Sequence, residues 1–272
     1  MTPFPSPSFT CAASRAFRLV DTLFILLAAL VGFVGWISSC QSSSGLAKTT
    51  ATADKPIRVL MVGGGTSHDF GMWYKTVDGQ TLSRDGFATV NYVGDPDSIM
   101  TYLPQSDVLY LSNNRPITNP AVRQAIMAHA DAGKGLVIAH AAMWYNWKDW
   151  PEYNQTIVSG GSRGHDKYGA FDVSVTEPQH PVTKGVEPKF TLKDERYYYL
   201  PDSTGPGVSV LASSSRSAGA VAGSDKIFPS VFIVKHPKAR IVGLALGHDA
   251  ESHNIANYQT LLRNAVAWVA RK

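Results

Sequence analysis

The sequence predicts an α/β protein of the flavodoxin-like, doubly wound kind, with a mostly parallel sheet and extra strands in its second half. Three observations predict it: apolar runs of strand length, helical segments between them, and turns rich in glycine or histidine directly after the runs.

The first run, Ile57 to Val62 (IRVLMV), is ended by Gly63-Gly64-Gly65. A helical stretch over residues 73–82 leads to a strand over 87–93, and a short helix over 96–103 to a buried strand over 107–111. Asn119 and Pro120 form an N-cap and first-turn pair for a helix running to Ala132, which Gly133 stops. A fourth strand covers 135–139 (GLVIA). Buried strands alternating with helices imply parallel βαβ units with right-handed crossovers. The second half is less regular, with strands over 171–175, 208–212, 230–234 and 241–246. A closing amphipathic helix over 254–270 turns Leu261, Leu262, Ala265, Val266 and Val269 toward the core.

Composition narrows the function classes. Of 272 residues 44% are hydrophobic and 17% charged, which suits one packed core and argues against disorder. The net charge of +4 is spread without a basic run, so no nucleic-acid partner is expected. The only cysteines, Cys11 and Cys40, precede the predicted domain, which excludes an internal disulfide or a cysteine nucleophile in residues 57–272. Oligomeric state is open.

Residues 1–39 read as a signal peptide, 40–56 as a flexible tether and 57–272 as the folded domain. Arg15 and Arg18 precede an apolar run over 23–37. As a helix that run rises roughly 22 Å, short of the ~30 Å hydrocarbon core. Ile37-Ser38-Ser39-Cys40 resembles a bacterial lipobox, with Ile where Leu is usual and Ser where Gly or Ala is. The expectation is an exported protein anchored in a membrane by lipid on Cys40; ordinary secretion and an uncleaved anchor are the alternatives.

Open parallel sheets bind ligands at the carboxyl ends of their strands. His68 follows the first strand, His140 the fourth and His248 the last. In a 2-1-3-4 order the first and fourth strands lie roughly 10 Å apart, so imidazoles from both can meet one ligand. Trp144, Tyr145, Trp147, Trp150 and Tyr153 follow the fourth strand at once. Their rings suit either core packing or the CH faces of sugars. Gly63 to Gly65 lack the GxGxxG spacing, so a tight turn is expected and no nucleotide. Residues 160–164 match GxSxG but fall in a loop leading into a strand, which is no nucleophile elbow. His129 reads as a solvated helix position and His236 as a turn residue. Tyr197-Tyr198-Tyr199 could form a strand with two faces, and Glu195 could pair with Arg196 or a surface lysine.

Six segments in order resemble the trehalose-utilisation (ThuA-like) family: Ser67-His68-Asp69-Phe70; Gly133-Lys134-Gly135-Leu136-Val137 running to His140-Ala141-Ala142; Gly160-Gly161 with His165; His180-Pro181-Val182-Thr183; Asp194-Glu195; and Leu246-Gly247-His248-Asp249. The family implies a class I glutamine amidotransferase-like fold. With Ala139-His140-Ala141 where an amidotransferase has its cysteine, glutaminase chemistry is not expected. The resemblance implies a sugar-processing enzyme, a hydrolase, lyase or isomerase acting on a disaccharide or keto-glycoside. His68, His140, Glu195 and His248 would be catalytic, and Asp69, Trp144, Tyr145 and Trp147 would bind a small saccharide. Either His68, His140, His165 and His248 hold a divalent metal such as zinc or manganese, or a histidine and Glu195 act as general base and acid. The competing expectation is a non-catalytic carbohydrate-binding lipoprotein.

Overall fold

The computed structural model describes residues 55–144, 148–214 and 228–272. The signal peptide, Cys40 and most of the tether fall outside the described residues, as do Tyr145 and Trp147. Among the described residues no helix is long and apolar enough to cross a membrane.

Eleven strands are described: β1 (Ile57–Val62), β2 (Ala88–Val93), β3 (Val108–Leu111), β4 (Gly135–Ala139), β5 (Gly160–His165), β6 (Gly169–Val175), β7 (Lys189–Asp194), β8 (Tyr197–Pro201), β9 (Val208–Ser214), β10 (Phe228–Val234) and β11 (Ile241–Leu244). Nine form one sheet in the order β2-β1-β3-β4-β11-β10-β9-β6-β7, and β5 pairs with β8 in a separate ribbon. From β2 to β11 every pairing is parallel. Beyond β11 every pairing is antiparallel. The expected β2-β1-β3-β4 order and the extra second-half strands are both present.

Alternation along β1 divides the core between the two faces of the sheet. Ile57, Val59 and Met61 join one cluster with Tyr74, Leu82 and the closing helix Ala256–Val269, through Leu261, Leu262, Ala265, Val266 and Val269. Leu60 and Val62 join the other with Ile99, Leu103 and the helix Pro120–Asp131, through Val122, Ile126 and Ala130. The Asn119 side chain accepts the Ala121 N–H, as an N-cap does, and Gly133 ends the helix with φ +75°.

Two expectations need correction. His129 is not solvated: it is 5% exposed and its Nε2 lies 3.3 Å from the Gly135 carbonyl. Burial pushes its pKa down to about 4. The segment holding the GxSxG match is itself a strand, β5, paired with β8, so Ser162 occupies no strand-to-helix elbow.

Gly135 begins β4 where the closing helix ends, and a Cβ there would meet the Val269 carbonyl oxygen at 2.5 Å. Gly135→Ala is therefore expected to lower the unfolding free energy by roughly 1–3 kcal/mol in urea titration. An unchanged midpoint would contradict this close approach.

Candidate functional site

Three strand ends of the parallel half deliver the histidines. His68 follows β1 after a turn whose Gly64 and Gly65 adopt φ +108° and +134°. His140 opens a short helical turn directly after β4. Its φ of 35° is unusual for a side-chain-bearing residue and marks strain of the kind concentrated at working sites. His248 follows β11 after Gly247, and Glu195 comes from the connection between β7 and β8.

The four side chains converge. One ligand atom from each of His68, His140, His248 and Glu195 lies within 4.8 Å of the others. His68 Nε2 is 3.1 Å from His248 Nδ1, which is 3.2 Å from Glu195 Oε2. Glu195 Oε2 is also 3.7 Å from His140 Nε2, and Glu195 Oε1 is 3.5 Å from His165 Nε2. His140 is fully buried, its Nδ1 lies 2.7 Å from the Ala245 carbonyl, and its Nε2 has no hydrogen-bond partner. Since a carbonyl only accepts, Nδ1 carries the proton. Nε2 is then the ring atom left facing the carboxylate.

Electrostatics follow from this crowding. Burial, with the neighbouring His140 and His248, pushes His68 down to about 3, so it is a neutral ligand at ordinary pH. The hydrogen bond to Glu195 raises His248 against its burial. Burial alone would raise Glu195, but its interactions with the neighbouring His140 and His248 rings, His248 at 3.2 Å, reverse that and hold it far below the usual carboxylate range.

Tyr197 stacks on His140 at 4.3 Å, and Trp144 meets Tyr197 edge-on at 5.5 Å. With Ser67, His68, Asn114, Ala141, His165 and Glu195 they line a cavity of about 170 Å³. Asp69 is exposed, and its Oδ1 accepts the Met72 N–H. His165 lies on the other carboxylate oxygen from the remaining donors. Trp150 and Tyr153 are core residues. Glu195 does not pair with Arg196, whose guanidinium meets Asp166 at 2.5 Å and covers the Phe228 ring.

Sequence reasoning missed the residues behind the site. Asp194 Oδ2 accepts the Gly247 N–H at 2.8 Å. On its other side Gly247 offers its carbonyl to Tyr74 Oη at 2.7 Å and His253 Nε2 at 3.0 Å. His253 Nδ1 lies 2.7 Å from Asp78, which also accepts from Tyr110 and Tyr258. Both His253 nitrogens thus face acceptors. Burial opposes its charge, yet Asp78 and the Gly247 carbonyl outweigh that and its pKa is raised. One signal was available: Asp78 lies midway between Tyr74 and Leu82, a carboxylate on a buried helical stripe.

The family described as ThuA, trehalose utilisation, matches residues 58–269. A comparison with curated proteins gives no match. Among solved structures, the chain is similar to a ThuA-like protein from Parabacteroides merdae ATCC 43184, with TM-score 0.70 and 23% identity over 79% of this chain and 90% of that one. A ThuA-like protein from Bacteroides uniformis ATCC 8492 gives TM-score 0.66 and 23% identity over 80% and 93%. A β-galactosidase from Rahnella sp. R3 gives 0.53 and 14% over 78% of this chain and 31% of that one. At these identities the likeness is one of fold.

Removing one partner of the buried Asp78–His253 pair strands a charge, so Asp78→Ala is expected to cost about 3–5 kcal/mol of stability. A raised histidine stabilises fully below its unfolded pKa, and the contribution fades as pH climbs through the folded value. His253→Gln should therefore destabilise more at pH 6 than at pH 9.5 in denaturant titrations. Equal losses at both pH values would refute a charged His253.

Proposed function

The chain belongs to the ThuA, trehalose-utilisation family, and on that premise we propose that it is an exported sugar-processing enzyme that acts on a disaccharide or keto-glycoside with a divalent metal held by His68, His140, His248 and Glu195. One observation carries the proposal. The buried, unpartnered Nε2 of His140 points at the Glu195 carboxylate 3.7 Å away. A buried imidazole nitrogen without a partner, facing a carboxylate, is satisfied when a cation or proton lies between them.

The donor set fits a metal. Neutral imidazoles and a carboxylate are the ligands zinc and manganese take. Four donors about 2.1 Å from a common centre would stand roughly 3.4 Å apart in a tetrahedron. Three of the six donor separations, 3.1, 3.2 and 3.7 Å, bracket that value, and the whole set lies within 4.8 Å. The Ala245 carbonyl fixes the His140 tautomer, as partners behind metal-bound histidines do. His248 would give up the Nδ1 proton it shares with Glu195.

A metal bound there supplies Lewis-acid polarisation of a carbonyl or activation of a water. The chain's own residues do the rest. Burial, with the charges of Glu195 and Asp194, raises Tyr197 well above its ordinary value. Its hydroxyl therefore stays protonated and donates to a substrate oxygen. Trp144 offers a ring face to the sugar's CH groups, and His165 steadies the outer carboxylate oxygen. The same nitrogen and carboxylate also support a metal-free reading, in which His140 and Glu195 pass a proton beside a ketone. Lipid on Cys40 would hold the protein at an exported membrane face.

Purified protein is expected to carry zinc or manganese in mass-spectrometric metal analysis. His68→Ala and His140→Ala should each weaken it by more than the ~10–100-fold that outer partners contribute. Glu195→Gln should slow turnover of keto-disaccharides at least ~100-fold. Turnover without metal would select the acid–base reading. Saccharide binding that disappears with Trp144→Ala, in a protein without turnover, would mean a binder. Absence of palmitate labelling at Cys40 would remove the anchor.

A further inference from the structure

A second, larger recess lies at the opposite ends of the same strands. It has a volume of about 710 Å³ and is lined by the starts of β1 and β4 and the end of the closing helix. Its floor is apolar, with Pro56, Ile57, Val269 and Ala270, and its rim carries Lys55, Arg58, Lys134, Arg271 and Lys272 against the single carboxylate of Asp107. Asp107 is already taken by Arg58, at 2.5 Å. Among the described residues no carboxylate comes within ion-pair distance of Lys55, Lys134, Arg271 or Lys272. Lys134 also donates to the Ser106 carbonyl and Lys272 to that of Lys55, so the cations are held in place on a rim that stays positive on balance. A positive rim over an apolar floor selects an anion with an apolar body.

The backbone supplies a second, independent sign. The closing helix ends in a Schellman turn, with Lys272 N–H bonded to the Ala267 carbonyl and Arg271 N–H to that of Trp268. The left-handed position of such a turn is normally glycine. Here it is Arg271, at φ 63°. The strained residue aims its guanidinium across the recess, donating to the carbonyls of Gly133 and Lys238. Strain kept where glycine would relieve it points to a use for the side chain. Gly133-Lys134-Gly135, at the opposite end of β4 from His140, forms the facing wall.

We propose that this recess binds the headgroup of an anionic phospholipid and docks the domain on a negatively charged membrane surface. The phosphate meets Lys134 and Arg271, and the glycerol end of the acyl chains covers the apolar floor. The histidine site, at the carboxyl ends of the strands, then faces away from the lipid. The docking extends the proposed anchoring at Cys40 but does not depend on it.

The test uses residues 53–272, a compact unit with its own two-sided core, which lacks the anchor. Flotation with vesicles of 30 mol% phosphatidylglycerol in phosphatidylcholine should recover the domain, whereas pure phosphatidylcholine should not. Binding should vanish in 0.5 M NaCl. Each cation contributes about fivefold to partitioning, so Lys134→Gln with Arg271→Gly should lower it about 25-fold. Arg271→Gly alone relieves the left-handed strain and should keep or raise the melting temperature, separating lost binding from lost folding. Equal recovery with both vesicle types, or an unaffected double variant, would overturn the proposal. Competition by millimolar inorganic phosphate at constant ionic strength would assign the recess to a free anion instead. Failure of Cys40 labelling leaves this test unaffected, so the two ideas stand or fall separately.

Discussion

The site depends on a single residue, Gly247, whose two flanking peptides are each held by a buried partner. Asp194, at the end of β7, takes its N–H, while Tyr74 and His253 converge on its carbonyl. With φ +131° the position favours glycine, and a Cβ would meet the hydroxyls of Tyr258 and Tyr74 and His253 Nε2 at 3.3, 3.4 and 3.5 Å. His248 is the next residue, and its ring reaches Glu195 and His68 only along the direction Gly247 sets. Asp194 adjoins Glu195, so one buried carboxylate registers the antiparallel half of the sheet against the parallel half. The buried Asp78–His253 pair behind it is joined by two tyrosine hydroxyls and holds that register in a dry interior.

The same dryness gives the histidine cluster its chemistry. In water a histidine lone pair and a carboxylate at such a separation would each be solvated. Inside the protein, His140 is sealed and Glu195 is mostly covered, so their opposition persists and makes the place receptive to a cation. Burial also suppresses the charged form of His68, leaving its nitrogen free to act as a ligand. Position at the carboxyl ends of parallel strands brings the three histidines together. The antiparallel extension contributes the carboxylate, and the β5–β8 ribbon brings His165 and Tyr197 to the cavity wall.

The two ends of the parallel strands are chemically unlike. One gathers imidazoles around a carboxylate, and the other gathers ammonium and guanidinium groups over an apolar floor. An overall charge of +4 conceals this segregation, because composition averages over surfaces that never meet. A doubly wound sheet keeps them a strand length apart, so the two sets of charged groups do not compete for the same partners.

The sequence by itself determined the doubly wound core, since unbroken apolar runs such as Val59 to Val62 and Gly135 to Ala139 have no other place than a sheet covered on both faces. It also placed His68, His140 and His248 at strand ends, because local turn signals mark where strands stop. The family motifs added Glu195. Tertiary structure decided what local pattern does not encode. It showed β5 as a strand although its glycines gave no strand signal, buried His129 against Gly135, turned Asp69 to its own helix start, and freed Glu195 from Arg196 by giving Arg196 to Asp166. It also supplied the Asp78–His253–Gly247–Asp194 chain, whose members come from four distant segments. Periodicity reports which face a residue shares with its neighbours in sequence. Which charged groups become partners depends on the contacts made when those faces close, and on the desolvation that makes each partner obligatory.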